Sequence, residues 1–389
     1  AWRATPPRRA RHAERRRRLE APRPMPLLPR RLVFPAPSAS YTACSFPNEL
    51  LWMPPEGKSY AKCSAGHCYP AVLLRCPAAR YFVLYFHANG DDVGLCYQFG
   101  CGLRSALEVH VLLVELPGYG ICPGETSEEA FWEAAKASHD FICSRLGWPA
   151  EDIIVMGRSL GAAVALRLAG ERTCNGVIAV TPFLTLVEAF GQYFGGLARL
   201  LVEDSFDNRK SVSSLRVPLL VIHGPCDHLV HCNHGRELFA LCPHERKQLV
   251  SPARLGHNDD LLSDQEYLLF PMLRFFALPD YSFDEFQVPE EAFNRCLCPM
   301  PHALVELARH DGPMRPLLGD DDEPGEGGAV GTLHDDDLGE AAGRCDASAS
   351  TTPTKPGASS RGDDVASSEA RLDFDVGIAR FLGEPGPGE

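Results

Sequence analysis

This 389-residue sequence predicts an α/β fold: a mainly parallel sheet with helices on both faces. Three observations carry the prediction. Short, apolar, partly β-branched runs alternate with longer stretches of helical pattern, as when parallel strands return through crossover helices. The residues fit for chemistry fall just beyond predicted strand ends, where open parallel sheets gather their active groups. One of them, Ser159, lies in Gly157-Arg158-Ser159-Leu160-Gly161, between a strand-like and a helix-like run.

The elements follow in order. Residues 81–86, Tyr-Phe-Val-Leu-Tyr-Phe, give the strongest strand signal and run into the loop His87-Ala88-Asn89-Gly90-Asp91-Asp92. A helix then extends to about 107, and 110–115 is the next strand. Thr126-Ser127-Glu128-Glu129 has the capping-box pattern and opens a helix to about 146, where Gly147 stops it. Residues 153–156 are a buried strand, and 160–169, rich in Ala and Leu, a helix packed on the sheet. Strands at 177–181, 217–222 and 247–250 follow, and 264–278 is helical. The aromatic, glycine-containing stretch 182–215 stands where lid or pocket elements would be.

Ser159 carries the chemistry. A serine at a sharp strand-to-helix turn is held in a strained conformation with its Oγ exposed, and its neighbours must be small. Gly157, Gly161, Ala162 and Ala163 meet that demand. The bare pattern is a weak signal; its context adds the rest. A serine nucleophile needs a base and a group to orient that base. Asp227 follows the 217–222 strand and His257 follows the 247–250 strand, so Ser159, Asp227 and His257 come in nucleophile, acid, base order. The oxyanion of such a reaction needs two N–H donors. Leu160, directly after the serine, supplies one, and Asn89, in the loop after the first strong strand, is the candidate for the other. This is acyl transfer through a nucleophilic serine, with no cofactor and no metal.

These segments resemble the Bem46-like branch of the α/β-hydrolases, and most of all the α/β-hydrolase domain-containing protein 17 depalmitoylases. The resemblance rests on Leu32-Val33-Phe34-Pro35-Ala36-Pro37, Tyr85-Phe86-His87-Ala88-Asn89-Gly90-Asp91-Asp92, Glu115-Leu116-Pro117-Gly118-Tyr119-Gly120, the Ser159 pentapeptide, Ile222-His223-Gly224-Pro225-Cys226-Asp227 and Gly256-His257-Asn258-Asp259. It covers about residues 31–280. It implies the α/β-hydrolase fold, and a fatty acyl thioester on a protein cysteine as substrate. Two features depart from the family pattern. Ala88 stands where the family has glycine, and the first cysteine is Cys44, where the family carries an acylated N-terminal cysteine cluster.

Other readings remain open at this stage. The same three residues serve an ester lipase, a carboxylesterase or a serine peptidase, and a catalytically silent scaffold of the same fold is the non-enzyme alternative. His223, Cys226, His228, His231, Cys232 and His234 are dense enough to suggest zinc, but Asp227 in their midst already has a role.

Composition divides the chain into a basic arm (1–31), a catalytic domain (32–280), a C-terminal extension (281–311) and an acidic tail (312–389). The arm holds eleven Arg and two Glu; residues 280–389 hold 24 acidic against eight basic side chains; the whole chain is at −13. Arm and tail are expected to be disordered, being poor in apolar residues. The arm is expected to favour peripheral contact with anionic membranes over nucleic acid. The expected substrates are S-acylated proteins or lipid-like esters. Fifteen cysteines, an odd number spread along the chain, suit reduced thiols and a cytoplasmic location.

Overall fold

A computed structural model describes residues 27–64 and 66–298. Most of the arm, the end of the C-terminal extension and the whole acidic tail lie outside the described residues.

Eight strands form one sheet: β1 (Leu50–Met53), β2 (Tyr69–Leu74), β3 (Phe82–Phe86), β4 (His110–Val114), β5 (Ile153–Arg158), β6 (Gly176–Val180), β7 (Leu219–Ile222) and β8 (Lys247–Val250). Their spatial order is β1-β2-β4-β3-β5-β6-β7-β8. The β1–β2 and β2–β4 pairs are antiparallel, and every pairing from β4 through β3 to β8 is parallel. The mainly parallel sheet is therefore present. The sequence pattern predicts its six parallel strands and misses the antiparallel pair at the edge.

The sheet is buried on both sides. Along β3, Phe82, Leu84 and Phe86 enter one core while Val83 and Tyr85 enter the other. β5 divides in the same way, Ile153 and Val155 against Ile154 and Met156. This is the two-residue period of a pleated strand between two layers. Helices α1 (Val93–Leu107) and α7 (Leu269–Phe276) cover one face. The other is covered by α2 (Glu128–Asp140) and α3 (Leu160–Glu171). Between β6 and β7 the chain adds α4 (Leu186–Phe194), a turn at Ala198–Leu201 and α5 (Asn208–Ser213), and α6 (Asn233–Leu241) follows β7.

Two local expectations shift. The residue capping α2 is Ser127, which accepts the Ala130 N–H at 3.2 Å. With the cap one residue later than the pattern suggests, no glutamate stands three residues on to complete a capping box. Glu128 instead accepts the Phe206 N–H at 2.8 Å, tying α2 to the segment before α5. The helix also does not stay α to its end: Phe141–Arg145 form a wider π turn, and Gly147, at φ +70°, releases the chain.

Residues 281–298 run beneath the amino ends of β3 and β4. Ser282 donates to the Ala78 carbonyl at 2.9 Å. The Phe286 ring lies 5.2 Å from Phe82, 5.0 Å from His110 and 5.5 Å from Trp148. Burial there pushes the His110 imidazole down to about 4, so it is neutral, and its Nδ1 accepts the Cys76 N–H at 3.1 Å. Further on, Leu297 packs with Trp52 and Cys68. Removing the half-buried ring in Phe286→Ala is predicted to lower stability by about 2–3 kcal/mol, read as a lower urea midpoint. The site at the other end of the strands should keep its reactivity.

Candidate active site

Strand β5 runs directly into α3, and Ser159 is the joint. Its backbone sits at φ 51° and ψ −111°. A non-glycine residue there carries strain of about 1–3 kcal/mol, held in place by neighbours: the Ser159 N–H donates to Val180 O at 2.9 Å, and Ala162 N–H donates to Ser159 O at 3.0 Å. The turn can be this tight because both bordering glycines lack a side chain. A Cβ on Gly157 would overlap the Gly161 carbonyl, and one on Gly161 would overlap the carbonyls of Phe86 and His87.

The loops after β7 and β8 bring the other two residues to the serine. His257 Nε2 is 3.0 Å from Ser159 Oγ, and His257 Nδ1 is 2.7 Å from Asp227 Oδ2. With its Nδ1–H donated to the carboxylate, the ring turns Nε2 to the serine hydroxyl. All three residues are buried, Ser159 at 8% exposure. Asp227 Oδ1 accepts the N–H groups of Leu229 and Val230 at 3.0 and 2.7 Å. Its Oδ2 is also 3.0 Å from His223 Nε2. Burial raises the Asp227 carboxyl, but hydrogen bonds from His223 and His257 and the charge of His257 outweigh it and hold it well below the usual carboxylate range. A carboxylate is thus kept ionised in a nearly dry place by converging donors.

Arg158 is also buried, and its Nη2 donates to the carbonyl oxygens of His257 and Asp259, the latter at 2.9 Å. The loop carrying His257 has no helical or strand pairing at 255–260. Its backbone is therefore anchored by the residue adjacent to the nucleophile.

Residues 88–90 form one rim of the cavity. The Asn89 side chain is held at both ends: Nδ2 donates to Val33 O at 2.9 Å, and Oδ1 accepts the Tyr119 hydroxyl. Among the described residues no protein acceptor takes the N–H of Asn89 or of Leu160. Ala88 is absent from the positive-φ residues, so alanine needs no strain at this position. Beneath the loop, buried His87 places Nδ1 2.8 Å from Ala88 O and Nε2 2.9 Å from Glu115 Oε1. Burial lowers the His87 imidazole, but the hydrogen bond and charge of Glu115 raise it more, and the net shift is upward. Glu115 Oε2 accepts from Tyr41 Oη at 2.8 Å and from Val93 N–H at 3.1 Å.

The cavity holds about 940 Å³ including its open mouth. Ser159, Leu160, Asn89 and His257 line its polar end, and Phe34, Phe183, Leu186, Phe190, Leu229 and Val230 its apolar walls. Helix α4 forms a lid, clasped to the loop after β7: Tyr193 Oη donates to the carbonyls of His228 and Leu229 at 3.0 and 3.2 Å, and Gln192 Oε1 accepts the His231 N–H at 3.2 Å.

Of the residues singled out in the sequence, Ser159, His257, Leu160 and Asn89 thus line one cavity, with Asp227 buried behind His257. The His- and Cys-dense segment does not converge on a metal geometry: among the described residues no group of three or more His, Cys, Asp or Glu side chains is so arranged. His223 is taken by Asp227, His234 Nδ1 accepts the Leu184 N–H at 3.1 Å, and Cys226 turns to Ala253 O. Sequence reasoning missed the positions of Arg158, His223 and the His87–Glu115 pair. The one available signal is the presence of charged or titratable types inside otherwise apolar or glycine-bordered motifs.

A model of the alpha/beta hydrolase family matches residues 83–347. Alpha/beta hydrolase domain-containing protein 17C of Xenopus tropicalis is 29% identical over 195 residues, which is 50% of this chain and 62% of that protein. The Homo sapiens protein of the same name is 30% identical over 189 residues, 48% of this chain and 56% of that protein. The chain therefore spans less than two thirds of the length of these relatives. Among solved structures, an esterase of Pyrococcus furiosus aligns with a TM-score of 0.49 at 16% identity, covering 62% of this chain and 98% of that one.

Two predictions follow from the supports of the site. Without the Arg158 anchor the His257 loop loses its backbone hold. Arg158→Met should slow covalent labelling of Ser159 by a fluorophosphonate roughly tenfold to a hundredfold while the protein stays folded by circular dichroism, and Arg158→Lys should recover part of the rate. For His87, the raised imidazole contributes stability that is fully present below its unfolded value of about 6.5 and is lost as pH rises through its folded value. The stability gap between the parent protein and His87→Gln should therefore narrow as pH is raised above about 6.5, read from thermal midpoints.

Proposed function

The chain belongs to the alpha/beta hydrolase family, and we propose that it is a serine hydrolase that cleaves acyl thioesters, removing long-chain acyl groups such as palmitoyl from protein cysteines. One observation carries the reading: a hydrogen-bonded chain from Ser159 through His257 to Asp227 opens on a cavity whose other walls are apolar. Such a cavity accepts an alkyl chain while the polar end addresses the carbonyl. The relatives bearing the 17C name agree with a hydrolase reading; the acyl thioester substrate belongs to the proposal.

In the proposed reaction His257 Nε2 takes the Ser159 proton as Oγ attacks the acyl carbonyl carbon. Asp227 holds the imidazole in the tautomer that accepts this proton and stabilises the imidazolium. The N–H groups of Leu160 and Asn89 face the developing oxyanion, and each such donor is worth about 2.7–4 kcal/mol in the transition state. The tetrahedral intermediate collapses by breaking the carbon–sulfur bond, and the imidazolium protonates the departing thiolate. Water, deprotonated by His257, then cleaves the acyl-enzyme, returning a fatty acid and free Ser159.

Hydrolysis of an S-palmitoyl peptide beside its oxyester analogue tests this directly. Thioester cleavage by the parent protein is expected, with turnover and fluorophosphonate labelling both lost in Ser159→Ala. Cleavage of the oxyester alone would move the function to a lipase or carboxylesterase. Absence of both would leave a scaffold, and labelling that persists in Ser159→Ala would place the nucleophile elsewhere.

A further inference from the structure

Behind the proposed base stands a second imidazole to which the reaction above gives no part. His223 directly follows β7; its side chain is fully buried and does not line the cavity. Its Nε2 lies 3.0 Å from Asp227 Oδ2, the same oxygen that His257 Nδ1 approaches at 2.7 Å. It also lies 2.9 Å from the Val230 carbonyl oxygen. Its Nδ1 has no hydrogen-bond partner among the described residues. Helix α6 closes over that nitrogen, because a Cβ on Gly235 would stand 2.7 Å from it. The backbone fixes the ring from the sheet side: His223 N–H donates to Val250 O at 3.0 Å, and Ser251 Oγ donates to His223 O at 2.8 Å.

This setting decides where the ring carries its hydrogen. Two oxygens face Nε2 and no acceptor faces Nδ1. Any form with a hydrogen on Nδ1 leaves a buried donor unpaired, which is costly in a dry interior. The N–H therefore sits on Nε2 and points at the carboxylate. His257 is arranged the other way round, with its hydrogen on Nδ1, so two imidazoles direct N–H groups to one oxygen of Asp227. Each donor that settles on a carboxylate stabilises its charge and weakens its pull on further hydrogen. Burial raises the Asp227 carboxyl, and among the groups that bring it back down the His223 hydrogen bond stands ahead of that from His257.

We propose that His223 is a positioning residue of this site: its Nε2–H fixes Asp227 Oδ2 and limits how strongly that carboxylate draws a proton onto His257. The benefit to turnover rests on the serine-hydrolase reading, since a base drawn less strongly toward its protonated form stays free for the Ser159 proton at lower pH. The sharing of Oδ2 does not rest on it. Other charged or titratable groups surround the pair. Arg158, at the end of β5, donates to the His257 and Asp259 carbonyls, and Asp259 Oδ2 accepts the Gly256 N–H at 2.7 Å. Asp91 lines the cavity with His257. On α6, His234 interacts with His223 through charge; burial lowers its imidazole, and its Nδ1 accepts the Leu184 N–H. All of these are common to the variants below, so a shift between variants belongs to position 223.

The test compares the parent protein with His223→Gln, which keeps an N–H donor, and His223→Leu, which keeps bulk without one. Two quantities are read across pH: the rate of covalent labelling of Ser159 by a fluorophosphonate, and the His257 ring signals by proton–nitrogen NMR, which need no activity. In His223→Leu the plateau labelling rate should fall roughly tenfold. The acid limb of labelling and the His257 midpoint should both move up by about one pH unit. His223→Gln should recover most of both changes. A lower plateau with neither midpoint moved would make His223 a structural support of the Val230 carbonyl and overturn the proposal. A parent NMR spectrum with the His223 hydrogen on Nδ1 would overturn it as well. Should His223→Leu fail to fold, Gly235→Ala takes its place: the added methyl group crowds the ring away from Oδ2 and should move the His257 midpoint in the same direction. A parent protein that never labels, yet shows the midpoint shift, would remove the proposed activity and leave this proposal standing.

Discussion

The close approach of α3 to the ends of β3 and β5 is the constraint on which the site depends. It requires glycine at 157 and 161, because a side chain at either would meet backbone carbonyls. It forces Ser159 to φ 51°, a conformation an L-residue adopts only when its surroundings compel it. It also brings the α3 amino terminus beside the loop 87–90, so that Leu160 and Asn89 line the same cavity as the serine. The stability that sustains the strain comes from elsewhere: β5 is central in the sheet, fully buried and paired on both sides.

Around that joint, most buried polar groups are satisfied by one another, His223 Nδ1 and Thr181 Oγ1 being exceptions among the described residues. Asp227 gathers two backbone N–H groups and two imidazoles. Glu115 gathers a tyrosine, a backbone N–H and His87. The guanidinium of Arg158 rests on two carbonyls of the histidine loop. In a low-dielectric interior such groups are costly when unpaired and rigid when paired. Each spans elements far apart in the chain, so each fixes a loop that secondary structure leaves free. Gly235 lies close against the His223 ring, which limits the ways that ring can turn away from Asp227.

How much of this was legible in the sequence follows from the same physics. Five of the six parallel strands, β3 to β7, are buried on both faces, so they read as apolar runs; β8, at the edge and partly exposed, gives the weaker signal. β2 escapes because Pro70 near its start argues against a strand, although proline is tolerated at that position; β1 is a short apolar run whose pattern does not by itself separate a strand from a buried helix segment. Ser159, Asp227 and His257 stand out because each follows a legible strand, and the structure sets them within hydrogen-bonding distance; their catalytic roles belong to the proposal. The partners of Arg158 lie 99 and 101 residues away, and Glu115 stands 28 beyond His87. No local periodicity encodes such pairings. The shift of the α2 cap to Ser127 has the same origin: a contact between Glu128 and Phe206, distant in sequence, competes with a local motif.

The segment 27–34 gives the site a connection to its exterior. Asn89, which lines the cavity, is positioned by its side chain, and that side chain has two partners, Val33 O and Tyr119 Oη. Val33 lies one turn beyond Pro29, in the segment that pairs with the Ala198–Leu201 turn after α4 through Leu27 and Leu28. Tyr119, by contrast, is fully buried and packs against His87 at 5.0 Å. One hold on the loop 87–90 is therefore internal and fixed, and the other is attached to a surface segment bearing exposed leucines. Whatever settles that surface segment also settles the carbonyl that fixes Asn89. Order at the edge of the cavity and geometry at the proposed reacting carbonyl are in this way parts of one mechanical unit, and a change in either reaches the other through a single hydrogen bond of 2.9 Å.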